Sequence, residues 1–239
     1  MFYSRLQPGW LSGLVAVAFV CTLAVGATSQ VHAGSSVNQD FRLWSPVYLF
    51  VPLSQSLVGY MEVNPRFGDD VSQLDQLLLR PAIGYKLTDY WSLWQGYAWI
   101  GNYQPRFVEE HRVFQQLIYS RKFPSFKIFS RSRLEERIID NADGTAVRAR
   151  TLLRADFPLP DLPNWAIVVF DEILVNLNTV GHGPEAGLDQ NRFFLGMNRQ
   201  FTEQVNVDLG YQMQAQNNSR SGMINQINHV ILLQMWINL

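Results

Sequence analysis

The stretch Val205-Asn206-Val207-Asp208-Leu209-Gly210-Tyr211-Gln212-Met213-Gln214-Ala215-Gln216 alternates apolar with polar or small residues throughout. A period of two belongs to a β-strand with one apolar and one wet face; a helix would repeat every 3.6 residues. Val207, Leu209, Tyr211 and Met213 share one side, and Asn206, Asp208, Gln212 and Gln214 the other. Working outward, strand-like segments recur near 41–51, 56–66, 74–87, 90–101, 109–122, 125–139, 146–157, 165–178, 189–200 and 226–239. They are longer than the ~5–6 residues typical of soluble strands and close to the ~9–11 that a tilted membrane-spanning strand needs.

The connections alternate in length. Short ones fall at 52–55, 87–90, 123–125, 159–164 and 201–204, and longer ones at 67–73, 101–108, 140–145, 179–188 and 217–225. Short turns on one side and longer loops on the other are the habit of outer-membrane barrels. The chain therefore reads as all-β: a single antiparallel up-and-down transmembrane β-barrel. Eleven segments are counted, but bacterial single-chain barrels carry an even number of strands, so twelve are expected, with ten as the alternative. Pro46, Pro65 and Pro81 fall within segments; proline removes a ladder hydrogen bond and marks a bulge or an edge.

The N-terminus reads as a targeting segment. Arg5 precedes an apolar run from Leu11 to Val25, and Val31-His32-Ala33 offers small residues for cleavage after Ala33. The expected organisation is a signal peptide at 1–33 and a barrel domain at 34–239, with an uncleaved anchor as the alternative. Cys21 is the sole cysteine and lies in the apolar run. A mature chain without a thiol has no disulfide framework, cysteine–metal site or cysteine nucleophile. The longest later apolar run, Trp165 to Phe170, is far below the ~20 residues of a spanning helix. A formal charge of −1 gives a nucleic-acid partner no electrostatic support. Aromatic residues make up 13% of the chain, which suits interfacial girdles. Trp44, Trp91, Trp99, Trp165 and Trp236, near strand ends, are candidates for them, with buried core positions as the alternative.

Sorting the strands by parity gathers the charges. Arg131, Arg133, Glu135 and Arg137 share one face of 125–139, and Arg148, Arg150 and Arg154 one face of 146–157. An arginine facing lipid at the midplane costs about 2–4 kcal/mol, so these side chains are expected to point inward. The expected lumen network is Arg80, Arg131, Arg133, Glu135, Arg148, Arg150, Arg154, Glu172, Arg192 and Asp208, with Glu62 as a further acidic partner. A small barrel filled this way is expected to be a salt-bridged plug rather than an open pore. At the C-terminus, Ile231, Leu233, Met235, Ile237 and Leu239 alternate to the last residue. This resembles the signal read by outer-membrane assembly machinery, with Leu239 where an aromatic is usual. Outer-membrane lipid and that machinery are the expected partners.

Several motifs occur in a fixed order: Arg80-Pro81-Ala82-Ile83-Gly84-Tyr85, Leu93-Trp94-Gln95-Gly96-Tyr97, Ser130 to Arg137, Asp171-Glu172-Ile173-Leu174-Val175-Asn176, Asp189-Gln190-Asn191-Arg192 and Leu209-Gly210-Tyr211. Together they resemble the bacterial barrel family catalogued as domain of unknown function 2490, across roughly 40–239. The resemblance implies a Gram-negative outer-membrane barrel and carries no established activity.

The chemistry-bearing residues do not assemble on paper into a catalytic set. Ser130, Ser132, His111 and His229 face outward by parity, which raises an outer-leaflet lipid-modifying enzyme as one alternative. Such an enzyme needs nucleophile and base within hydrogen-bond reach. His182 with Glu185 and Asp189, and the run Asp140-Asn141-Ala142-Asp143-Gly144, read as solvated loops rather than metal sites. No catalytic residue, metal or cofactor is expected. The expected role is structural, adhesive or that of a small-solute channel; a soluble periplasmic ligand-binding β-protein is the other alternative.

Overall fold

The computed structural model describes residues 37–217 and 224–239. The expected signal segment and Cys21 lie outside them. The described residues form no helix and twelve strands: β1 (Asn38–Trp44), β2 (Val47–Pro52), β3 (Leu57–Gly68), β4 (Gln73–Lys86), β5 (Trp91–Asn102), β6 (Val108–Lys122), β7 (Lys127–Ile139), β8 (Thr145–Pro158), β9 (Trp165–Asn176), β10 (Gly187–Gln200), β11 (Val205–Gln216) and β12 (Gln226–Asn238). Neighbours in sequence from β2 to β12 pair antiparallel in one sheet, and the sheet closes on itself.

The closure corrects the expected strand count. β1 and β2 both pair parallel with β12, and both pair antiparallel with β3. Their registers are continuous: Trp44 faces Leu232 and Arg66, and Val47 faces Met235 and Val63. The two are one stave broken at Ser45-Pro46. Pro46 has no N–H for the ladder, but its carbonyl accepts from Met235 N (2.9 Å), and Ser45 N donates to Pro65 O (3.2 Å). Eleven staves therefore close the wall, not twelve or ten, and the wall is not antiparallel throughout. An odd number of up-and-down staves leaves the first and last running the same way, so the seam is necessarily parallel. Pro81 leaves a second mark: the β4–β5 ladder keeps its register but lacks pairs at Arg80 and Pro81.

Connections at one end, the turn end, span four to six residues; those at the other, the loop end, span four, five, five, ten and nine, so the expected contrast in length holds only for the last two loops. β1 starts at the loop end and β12 finishes at the turn end, where Asn238 N meets Gln204 O. Three short turns share one local device: the hydroxyls of Ser54, Thr88 and Thr202 accept from the backbone N–H three residues on, at 3.0–3.1 Å. Asn141 and Gly187 supply the left-handed backbone of loop-end connections, and Asn164 that of the β8–β9 turn.

Alternation holds on both faces. Leu209, Ile83 and Leu195 are more than half exposed on the outside, whereas Glu135, Asp208 and Asn228 inside are 0% exposed. Inward glycines make room for rings from neighbouring staves. A Cβ at Gly96 would fall on the Phe114 ring and 2.8 Å from the Ala82 Cβ. Not every inward position is polar: Trp44, Leu152, Val168, Phe170, Phe194, Val230 and Leu232 form a buried cluster inside the barrel.

Candidate functional site

The inward charges meet because the registers put them side by side. Arg133 faces Arg150 across β7–β8, and Arg112 faces Arg137 across β6–β7. Like charges directly opposite are destabilising, and shared carboxylates reconcile them. Glu135 accepts from Arg148 (2.7 Å) and Arg150 (2.7 Å), with Arg133 at 3.4 Å and Arg112 at 4.0 Å. Arg150 also reaches Glu172 (2.8 Å), which binds Arg131 (2.8 Å) and Arg192 (3.3 Å). Arg148 reaches Asp189 at 2.7 Å. The chain of bonds continues through amides: Gln190 accepts from Arg192 and Gln214 (both 2.7 Å), and Gln214 accepts from Asn228 (3.0 Å).

The structure brings Arg131, Arg133, Glu135, Arg148, Arg150, Glu172 and Arg192 into this one network. Three expected members, Arg80, Arg154 and Asp208, stand apart. Arg80 pairs with Glu62, which also accepts from Tyr60 and Asn64. Arg154 pairs with Asp208 (2.5 Å) and Asp156 (2.6 Å) nearer the turn end, where Asp208 also accepts from Trp236 Nε1 (3.0 Å) and Asn198. Sequence reasoning left Glu110 and Arg112 out of the set. Glu110 takes Arg112 (2.7 Å) and Arg137 (2.5 Å), and Arg112 ties the pair to Glu135 of the main network. The signal was available, since an outward His111 forces both its neighbours inward. Two of the tryptophans offered as interfacial are inside the barrel. Trp44 lies under Arg66 (3.9 Å) and Arg192 (5.1 Å), and Trp236 packs on Tyr48. Even parity on β1 and β12 dictates both.

The lumen is zoned along its axis. The loop-end half holds arginine, carboxylate and amide groups around a cavity of about 380 Å³. The turn-end half is rich in aromatic rings: Tyr48, Phe50, Tyr60, Trp94 and Trp236 contact one another beside a cavity of about 710 Å³ whose wall also carries Lys122, Lys127, Arg154 and Asp156. The Trp44–Phe194 cluster and the Glu135–Glu172 network lie between the two cavities.

Other candidate groups stay apart. His111 faces Ile138 across the β6–β7 ladder, eight residues along β7 from Ser130, or roughly 26 Å at strand rise. His111 is bonded instead to Tyr97 (2.5 Å), and His229, on β12, to Tyr211 (2.7 Å). His182 meets Asp143 (2.9 Å) between two exposed loops, and no group of three metal-ligating side chains occurs among the described residues.

The family described as a protein of unknown function, DUF2490, matches residues 41–225, from within β1 through β11. The chain belongs to that family. An uncharacterised protein of Methylorubrum extorquens is similar to it, 33% identical over 92% of this chain and 96% of the relative. In this DUF2490 chain, the motif residues Arg80, Glu135, Glu172 and Arg192 all lie inside the barrel and within its ion-pair clusters.

Proposed function

We propose that this DUF2490 chain is a bacterial outer-membrane barrel, delivered by a cleaved signal peptide at 1–33, whose lumen is closed by its own ion pairs. It acts as a membrane-anchored structural or adhesive body that presents its loop end, not as a passive pore. The observation that carries this reading is the inversion of the two faces. Exposed apolar side chains such as Ile83, Leu93, Leu195 and Leu209 dominate the outward positions of the staves, while buried arginines and carboxylates fill much of the inside. A soluble barrel gains nothing from that inversion, whereas a bilayer requires it.

Dimensions support the same reading. A stave of about 12 residues extends roughly 40 Å and, at the usual tilt of about 40–45°, rises roughly 30 Å. Outward aromatics cluster at the turn end, at Tyr85, Tyr90, Trp91 and Tyr119; Trp99 lies towards the loop end, and Tyr97 and Tyr211 sit midway along their staves. Closure follows from the two cavities being separated by buried ion pairs and packed rings.

Planar-bilayer recording on protein that shows heat-modifiable migration in unboiled gels tests the closed lumen. The expected result is insertion without steady conductance steps. Reproducible single-channel steps would overturn the plug, and release of the protein from membranes by carbonate would overturn the membrane placement.

A further inference from the structure

The loop-end half of the lumen is over-supplied with positive charge. Arg42, Arg66, Arg80, Arg112, Arg137, Arg148, Arg150 and Arg192 line its cavity, and Arg131 and Arg133 join them through the same carboxylates. Nine of those ten arginines share seven acidic partners: Asp40, Glu62, Asp75, Glu110, Glu135, Glu172 and Asp189. Arg66 is the clearest surplus. Its Nη1 donates to Gln76 (2.8 Å) and its guanidinium lies over Trp44, but it has no carboxylate partner among the described residues. The Arg66 Nε and the Arg137 Nη1 are buried without a hydrogen-bond acceptor. The rest of the cavity wall is rich in amides, including Gln76, Asn102, Gln190, Gln214 and Gln216.

We propose that this cavity binds a phosphate group, as the free ion or as a phosphomonoester. A surplus of guanidinium groups in a confined, low-dielectric space calls for an anion carrying more than one charge. Guanidinium forks match the oxygens of a phosphate bidentately, and the amides can donate to the remaining oxygens. The volume of about 380 Å³ accommodates the group together with a small substituent. The assignment goes beyond the membrane reading and stands whether or not the wall faces lipid.

The test uses the full barrel refolded in zwitterionic detergent, with inorganic phosphate as the first probe in calorimetry. Saturable binding is expected, weakened at least ten-fold in Arg66→Gln and unchanged in Arg121→Gln, which sits on the outer turn-end rim. Saturable binding with equal affinity in Arg66→Gln would overturn the site. The unaltered protein supplies a second readout free of any folding defect: phosphate should slow modification of Arg66 by phenylglyoxal, read by mass spectrometry, and leave Arg121 reactive. The source is separated in the same assay. Protection by free phosphate assigns the soluble ion, and protection by vesicles carrying a phosphomonoester lipid, but not by phosphocholine vesicles or free phosphate, assigns a lipid headgroup. Protection by none of them overturns the proposal.

Discussion

Glu135 is 0% exposed and has four arginines within 4.0 Å. Removing one partner of a buried ion pair leaves the other charge stranded, which costs about 3–5 kcal/mol. Glu135→Gln is therefore expected to lower the unfolding free energy of the folded barrel by that order, whereas Glu203→Gln in an exposed turn leaves it unchanged; urea titration followed by gel mobility reads both. At this scale the sequence was largely legible, because parity alone sends Arg133, Glu135, Arg148 and Arg150 to one side. Pairing was less so. Which carboxylate serves which arginine depends on stagger between staves, and the separation of Arg154–Asp208 from the main network is a consequence of that stagger. Trp44 and Trp236 show the opposite error: nearness to a strand end suggested an interface, while parity, which decides, put both inside.

The staves were legible almost to the residue, since alternation and turn chemistry agree. The eleven segments counted from the pattern correspond to the eleven staves. The expectation of twelve came from the even-number habit of bacterial barrels, not from the residues. The break at Ser45-Pro46 splits one stave into β1 and β2 without shifting its register. The parallel seam carries a direct prediction. Leu43 and Ile231 are register partners on the outer face, so with Cys21 replaced by serine, Leu43→Cys with Ile231→Cys should be joined by a short thiol cross-linker. Cross-linking at the background level of a Leu43→Cys and Leu209→Cys pair would contradict the seam.

At the scale of the whole molecule, the inside is divided between a loop end dense in arginine and a turn end rich in aromatic rings. That zoning was not legible. Val168 and Phe170 lie in an apolar run with no period of two, so nothing in Trp165 to Phe170 tells which residues point inward. The inward rings of Phe114 and Phe194 fill space left by glycines on adjacent staves, a complementarity visible only once the staves are aligned. The central claim is that the apolar outside faces lipid and the charged inside is sealed. Spin labels placed singly at Val207, Leu209, Tyr211 and Met213, and at Asp208 and Gln212 as the inward set, test it most directly in liposomes. The account predicts that the first four collide readily with oxygen and poorly with an aqueous nickel chelate, and that the inward two are shielded from both. Ready access of the chelate to the label at Leu209 would contradict it.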